Sequence, residues 1–341
     1  IKESRLLYST IIQKKLKKLY LFYEEPDNDR WIKYDRYPRK IIRKLLRKKE
    51  PIGGVKKWFL NLVEGLDLIG YPYKINDFKS LTKDPNIIAL VIGKPQVIEK
   101  IPNSVKIVYG PAVASHPSDN TFWKSKNIIR ILFSCQWLHD MYERDLPISI
   151  PQSIWPSGIE TEIWKPVSKT NLTKKFLLYD KVRWDYDYYK AILVDPIKEL
   201  VTSKGSEIIH FRYGFYKEED FKEVLKTVDG MIFLCEHETQ GFAYLQALSS
   251  NVPIFAWDRG GYWQDPFYYP DKVKFEPVTS VPYWDERCGE KFATIEDFQL
   301  NFIKFNQKIK DQIYEPRNYI LENLTLKICA QKYVDIYRSL I

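Results

Sequence analysis

The residues whose types and spacing carry the most chemistry lie in FLCEHETQGFAYLQALSSNVPIFAWD, residues 233–258. The segment reads as a strand, an acidic loop, a helix and a second strand. Gly241 stands where the helix opens. The free N–H groups there, at Gly241, Phe242 and Ala243, and the positive end of the helix dipole suit a diphosphate. A glycine has no Cβ to hold the phosphate off. Glu238 sits just before the helix, and Gln246 follows eight residues later, about two turns in. A carboxylate at the mouth and an amide further along can hydrogen-bond the hydroxyls of a sugar and a ribose.

Elements of the right kind to position this loop recur along the chain. Strand-like apolar runs alternate with helical patterns from about Leu19 onward, which predicts α/β units around parallel sheets. The first half offers KLYLFY, a helix from Gly54 to about Ile69, then YPYKI, IIALVIG, VKIVYG, IIRILFS and ISIPQSIW. The second half restarts with KKFLLYD, SEIIHF, DGMIFLC and VPIFAWD, interleaved with helices near 188–201, 218–226 and 241–250. Helical stretches at about 295–310 and 316–339 follow. The expected boundary is the Pro- and Trp-containing stretch 154–171. Two α/β halves on a short linker imply a cleft, with ligands at the carboxyl ends of the strands.

Composition limits the alternatives. The chain has 341 residues, 45% apolar and 28% charged, enough for about two domains with proper cores and unlike a disordered chain. No apolar run reaches the length of a membrane span, and no signal segment is visible. Four cysteines lie far apart without a CxxC pair, so neither a zinc site nor a disulfide framework is indicated. A cytoplasmic protein is the expectation. The net charge of +9 is uneven: residues 1–60 hold 18 Lys/Arg against 7 Asp/Glu, so the remainder is close to neutral. The densest part, 37–51, puts Ile41, Ile42, Leu45 and Leu46 on one helical face among Arg39, Lys40, Arg43, Lys44, Arg47 and Lys48. Such a helix can lie on anionic lipid or hold phosphates, or be a solvated surface helix.

The 233–258 segment resembles the nucleotide-sugar signature of retaining GT-B glycosyltransferases of the large family-4 type. Glu238 takes that pattern's first Glu, Gln240–Gly241 its Phe–Gly, and Gln246 its second Glu, a departure that exchanges one acceptor for a donor. Further features match in order. IGGVKKWFLNLVEGLDLIGYPYKI, residues 52–75, resembles the family's first Gly-rich loop and helix, with Gly53 and Gly54 facing diphosphate or acceptor. SIWPSGIETEIWKP, residues 153–166, resembles its interdomain segment, with Ser157 in place of Asn. FLLYDKVRW, residues 176–184, takes the place of the family's basic residue after the first strand of the second domain. Lys181 and Arg183 would then neutralise the departing diphosphate. RYGFYKEEDF, residues 212–221, looks like the base-receiving loop, where Tyr213, Phe215 or Tyr216 could stack on the base. In the family a His near the place of His116 contacts the transferred sugar, which makes His116 a candidate for positioning or proton transfer.

The resemblance implies a GT-B fold: an N-terminal Rossmann-like acceptor domain over 1–160 with a basic insertion at about 24–50, and a donor domain over 161–315. A C-terminal helix over 316–341 would cross back to the first domain. It implies retaining, metal-independent transfer of a sugar from a nucleotide-diphosphate sugar to a glycan or lipid-linked acceptor, with no cofactor. Glu238 would hold the donor sugar and Gln246 the ribose. The basic segment beside the acceptor side would recruit an anionic or lipid-linked acceptor, giving a cytoplasmic protein peripheral at the membrane, with nucleic acid disfavoured for want of a base-reading motif. The alternatives are a nucleotide-sugar epimerase on the same fold, or a basic nucleic-acid- or membrane-binding protein with a vestigial cleft. Asp185-Tyr-Asp187 spells a metal-binding DxD but falls at a helix start, where Asp is a good cap. His139, His210 and His237 lack partners at metal-ligand spacing.

Overall fold

The computed structural model describes residues 17–24, 53–111, 115–119, 124–168 and 172–341. The basic segment 37–50 lies outside the described residues. Two compact units emerge. The first holds the described residues up to Phe133, with Asp145–Trp155 and Tyr333–Ile341; the second holds Ser134–Arg144 and Pro156–Lys332. No helix of the described residues is long and apolar enough to cross a membrane.

The first unit is built on β1 (Leu19–Phe22), α1 (Gly54–Leu68), β2 (Tyr73–Ile75), α2 (Phe78–Lys83), β3 (Ile88–Val91), α3 (Gln96–Glu99), β4 (Lys106–Tyr109) and β5 (Ile128–Phe133). α4 (Gln136–Asp145) follows, and β6 (Gln152–Ile154) completes the sheet. All its pairings are parallel, in the order β2-β1-β3-β4-β5-β6. β3 is buried along its whole length while the edge strands β2 and β6 are not. That is why 87–92 reads as an unbroken apolar run: a central parallel strand is covered on both faces. The chain's final residues belong here. Tyr333 meets Trp155 at 4.8 Å between centroids, and Arg338 lies 5.5 Å over the Tyr71 ring.

The second unit contains β7 (Lys175–Lys181), α5 (Tyr186–Tyr189), a π-turn (Lys190–Val194), α6 (Asp195–Ser203), β8 (Glu207–Arg212), α7 (Glu218–Leu225), β9 (Gly230–Cys235), α8 (Phe242–Ser249), β10 (Ile254–Trp257), β11 (Gly289–Phe292), α9 (Ile295–Lys310), α10 (Pro316–Asn323) and the start of α11 (Leu326–Arg338), whose residues from Tyr333 on belong to the first. The sheet is again parallel, ordered β11-β10-β9-β7-β8. The period of two along each strand divides the core. Phe176, Leu178, Ile232, Leu234, Phe255 and Trp257 pack with Ile197 and Val201 of α6 and Phe298, Phe302 and Phe305 of α9. Leu177, Tyr179, Met231, Phe233, Ile254 and Ala256 face Phe221, Tyr244, Leu248 and Ile320 from α7, α8 and α10. A capping box, Thr294 with Asp297, starts α9.

The expected helix over 316–339 is two helices. Ile159 N–H donates to Leu324 O at 2.8 Å, and Ile159 bridges Thr325, so the first helix loses a carbonyl where a third segment comes in. The approach demands Gly158: a Cβ there would lie 2.6 Å from Leu326 Cα.

Candidate active site

Connections from β7 and β9 leave in opposite directions, β7 to β8 on one side and β9 to β10 on the other. In an open parallel sheet the crevice for a ligand opens at the carboxyl ends of two such strands. Lys181 is the last residue of β7 and is in register with Cys235, the last of β9. The loops that follow, 182–185 and 236–241, therefore flank one point.

Lys181 Nζ pairs there with Glu238 Oε1, both side chains largely buried. Burial, the largest influence, lowers the Lys181 pKa, but the Glu238 charge and hydrogen bond together with Cys235 and Tyr213 outweigh it, and the ammonium is held above its ordinary value. The same Nζ lies 4.6 Å over the Tyr213 ring, which ties the end of β8 to the pair. Backbone contacts fix Glu238: its N–H donates to Thr279 O at 3.0 Å, and its carbonyl accepts from Trp137 Nε1 of α4 at 2.7 Å.

Glu236 does different work two residues earlier. Its Oε1 accepts from the backbone N–H of Arg183 at 2.7 Å and of Trp184 at 2.9 Å, pinning the loop after β7 onto the loop after β9. Arg183 reaches back with Nη2 to His237 Nε2 at 3.0 Å. Trp263 Nε1 donates to that same nitrogen at 3.2 Å. An imidazole nitrogen receiving two donors carries no proton, so the His237 hydrogen sits on Nδ1. Burial first, then the charges of Arg183, Lys181 and Arg259, hold the His237 pKa well below its ordinary value, so the ring is neutral. Trp137, Trp184 and Trp263 surround it, with ring centroids at 5.3, 5.2 and 6.4 Å.

Gly241 is the N-cap of α8 at φ 70 and ψ 52, and a Cβ there would lie 2.1 Å from Tyr244 Cε1. Only glycine combines that backbone with so close a ring. Phe242 and Ala243 form the first turn, half-buried. Gln240 turns away from the loop mouth: its Oε1 accepts from Ser157 N–H at 3.0 Å and its Nε2 donates to Ser157 O at 3.3 Å. Gln246 is buried along α8. Tyr216 is taken up by the core, its hydroxyl 2.6 Å from that of Tyr179 and its ring stacked on Phe211 at 5.2 Å. Tyr213 and Phe215 stay exposed.

Lys181, Arg183, Tyr213, Glu238 and Gly241 thus come together in the second unit. Gly53, Gly54 and His116 belong to the first. Gly53 caps α1 in extended conformation with Gly54 as the first helical residue, and among the described residues no atom lies within 4 Å of a would-be Cβ at either position. His116 is buried, with Nδ1 2.7 Å from Ser118 Oγ and Nε2 3.0 Å from Asp145 Oδ2. Asp185 stands at the N-cap of α5 in left-handed conformation, φ 47, without a side-chain capping bond. His139 meets carboxylates rather than other histidines: its ligand atom and those of Asp140 and Glu143 lie within 4.8 Å of one another on α4. Sequence reasoning passed over Glu236 and Arg259, and set His237 aside for want of partners at metal-ligand spacing. The available signal was position, directly after two strands buried along their whole length.

Three solved structures match nearly the whole chain. Anabaena Alr3699/HepE, solved with UDP and glucose, has a TM-score of 0.55 at 9% identity. Sucrose-phosphate synthase from Thermosynechococcus elongatus scores 0.54 at 10%, and the lipopolysaccharide outer core galactosyltransferase WaaB 0.53 at 11%. Each alignment covers 95% of this chain and 99–100% of the other. The fold is GT-B. No protein-family model matches the sequence, and no curated protein matches it. The GT-B assignment accounts for the two parallel sheets of this chain and for the return of its last residues to the first unit.

Proposed function

We propose that this chain is a glycosyltransferase that moves a sugar from a nucleotide-diphosphate sugar to a glycan or lipid-linked acceptor. The observation that carries the reading is the meeting of Lys181 and Glu238 at the switch point of the second sheet, beside the open N-terminus of α8. A cation and the N-terminus of a helix suit a diphosphate, and an adjacent carboxylate suits sugar hydroxyls. HepE, whose fold the chain shares, has been solved with UDP-glucose.

In this reading Lys181, Arg183 and the N–H groups from Gly241 onward stabilise the diphosphate as it leaves. Glu238 orients the donor sugar, and the exposed Tyr213 or Phe215 offers its ring to the base. The buried Gln246 would reach the ribose only from within α8. Transfer is retaining and needs no metal, because the cations at the strand ends supply the charge a metal would bring.

The test is a panel of UDP-, GDP-, ADP- and dTDP-sugars read by thermal shift and by hydrolysis. One of them is expected to raise Tm and to be turned over. Glu238→Ala and Lys181→Ala are each expected to slow transfer by about 100-fold or more. Absence of stabilisation by every member of the panel refutes the reading.

A further inference from the structure

Arg259, the second residue beyond β10, is anchored by one nitrogen only. Its Nη1 donates to Tyr189 OH at 3.2 Å and to Gln264 Oε1. The remaining two, Nε and Nη2, are buried with no hydrogen-bond partner among the described residues. These atoms form one edge of the guanidinium, the edge whose parallel N–H bonds match the two oxygens of a carboxylate. His237 adds a third orphan: with Nε2 occupied by Arg183 and Trp263, its Nδ1–H is buried and has no partner among the described residues, in a side chain only 6% exposed. Arg259 is near enough for its charge to act on the His237 ring.

All three orphans are donors, and a buried donor without an acceptor costs about 1–3 kcal/mol. The neighbouring carboxylates leave them unserved. Glu236 Oε1 is spent on two backbone N–H groups, and its Oε2, buried without a hydrogen bond among the described residues, lies 3.8 Å from Arg183 Nε. Glu238 is held by Lys181, and Asp258 by Thr279, Ser280 and Lys291. The trio sits at the carboxyl ends of β9 and β10, on the β10 side of the Lys181–Glu238 pair.

We propose that Arg259, through its Nε/Nη2 edge and with the His237 Nδ1–H at the end of the adjacent strand, binds the carboxylate of a sugar acid, so that the sugar handled at this site is a uronic acid and not a neutral hexose. The inference rests on the nucleotide-sugar reading of the same site and names its substrate class. Tyr189 and Gln264 hold the guanidinium in place before the ligand arrives, which reduces the ordering cost of binding.

The experiment compares base-matched pairs by calorimetry at pH 7.5: UDP-glucuronate with UDP-glucose, and GDP-mannuronate with GDP-mannose, each alongside the nucleoside diphosphate alone. For the pair whose base is accepted, the uronate is expected to bind about 10- to 100-fold more tightly. Arg259→Lys keeps the charge but loses the fork, and should remove most of that preference while leaving affinity for the nucleoside diphosphate unchanged. Tyr189→Phe, which deletes only the anchoring hydroxyl, should reduce the preference by a smaller factor. In a second arm, a galacturonate-ended oligosaccharide is titrated onto protein saturated with the nucleoside diphosphate; Arg259-dependent binding there assigns the carboxylate to the acceptor and supports the subsite. Equal affinity for hexose and uronate in both arms, or equal losses for both in Arg259→Lys, overturns it. Nucleoside diphosphate binding without uronate preference refutes the subsite alone. Failure to bind any nucleotide, with Arg259-dependent capture of the oligosaccharide by the nucleotide-free protein, refutes the proposed function alone.

Discussion

Replacing Lys181 by Met leaves the Glu238 carboxylate in a nearly dry position. The two side chains of this pair are 16% and 11% exposed, so each depends on the other for its charge. Removing one partner of a buried pair costs about 3–5 kcal/mol. The two removals are not equivalent. Without Lys181, the carboxylate keeps only the Cys235 thiol at 3.8 Å, a weak donor that burial holds protonated. Without Glu238, the ammonium still has the Tyr213 ring at 4.6 Å, a contact worth about 1 kcal/mol. Lys181→Met should therefore destabilise by about 3 kcal/mol and Glu238→Gln by about 2 kcal/mol. The double variant, with no charge left to strand, should lose only about 2 kcal/mol, a coupling of about 3 kcal/mol. Urea unfolding followed by tryptophan fluorescence measures all four proteins, since Trp137, Trp184 and Trp263 all lie around the site. Single losses that add to within about 0.5 kcal/mol in the double variant would refute the pair as an interdependent unit.

His237 predicts the response to acid. Its pKa in the fold is far below the ordinary 6.5, so the unfolded chain takes up the proton first and stability must fall as pH drops below that value. Wild type should lose up to about 1.4 kcal/mol per pH unit there relative to His237→Gln, measured by urea midpoints from pH 7.5 to 5. Gly241→Ala forces φ 70 on an L-residue and drives its Cβ to 2.1 Å from the Tyr244 ring; a loss of at least about 2 kcal/mol is expected, with weakened nucleotide-sugar binding in titration. Gly158→Ala should be worse, because its obstacle is the Leu326 backbone at 2.6 Å, and a fall in Tm checks it. Neutralising Arg43, Lys44, Arg47 and Lys48 together should weaken binding to anionic vesicles and raise the acceptor KM; both unchanged would reduce the basic run to solvation.

What the sequence made legible follows what each residue owes to its own neighbours. Continuous apolar runs located the central strands because both faces are covered, and the 295–310 helix was found to the residue because Thr294 and Asp297 cap it locally. β11 escaped notice: GEKF has no apolar run, and it becomes a strand only by pairing with β10 at a sheet edge. α4 was missed as well, and its Trp137 proves to hold Glu238 from outside the motif. The resemblance pointed to Glu238 through 233–258 and to Lys181 through 176–184, and their meeting is a matter of strand register. The resemblance could not show that Gln240 is spent on Ser157, or that Tyr216 belongs to the core. Those fates depend on residues distant in sequence. Glu236 and Arg259 were opaque for the same reason, since what distinguishes them is which of their atoms have partners.

The Gln240–Ser157 clasp and the Trp137–Glu238 bond bear on how this protein could be recombined. The loop that presents Glu238 takes its shape from two places upstream in the chain, and Trp137 precedes β6 of the first unit. A chimaera joined at Pro156 would inherit every residue of the sugar-nucleotide signature and still forfeit the indole that holds its central carbonyl. The second half is therefore not a portable cassette. A crossover that keeps Ser134–Arg144 with residues 156–332 preserves the loop, and exchange of this unit between relatives of the fold should succeed only along that discontinuous seam.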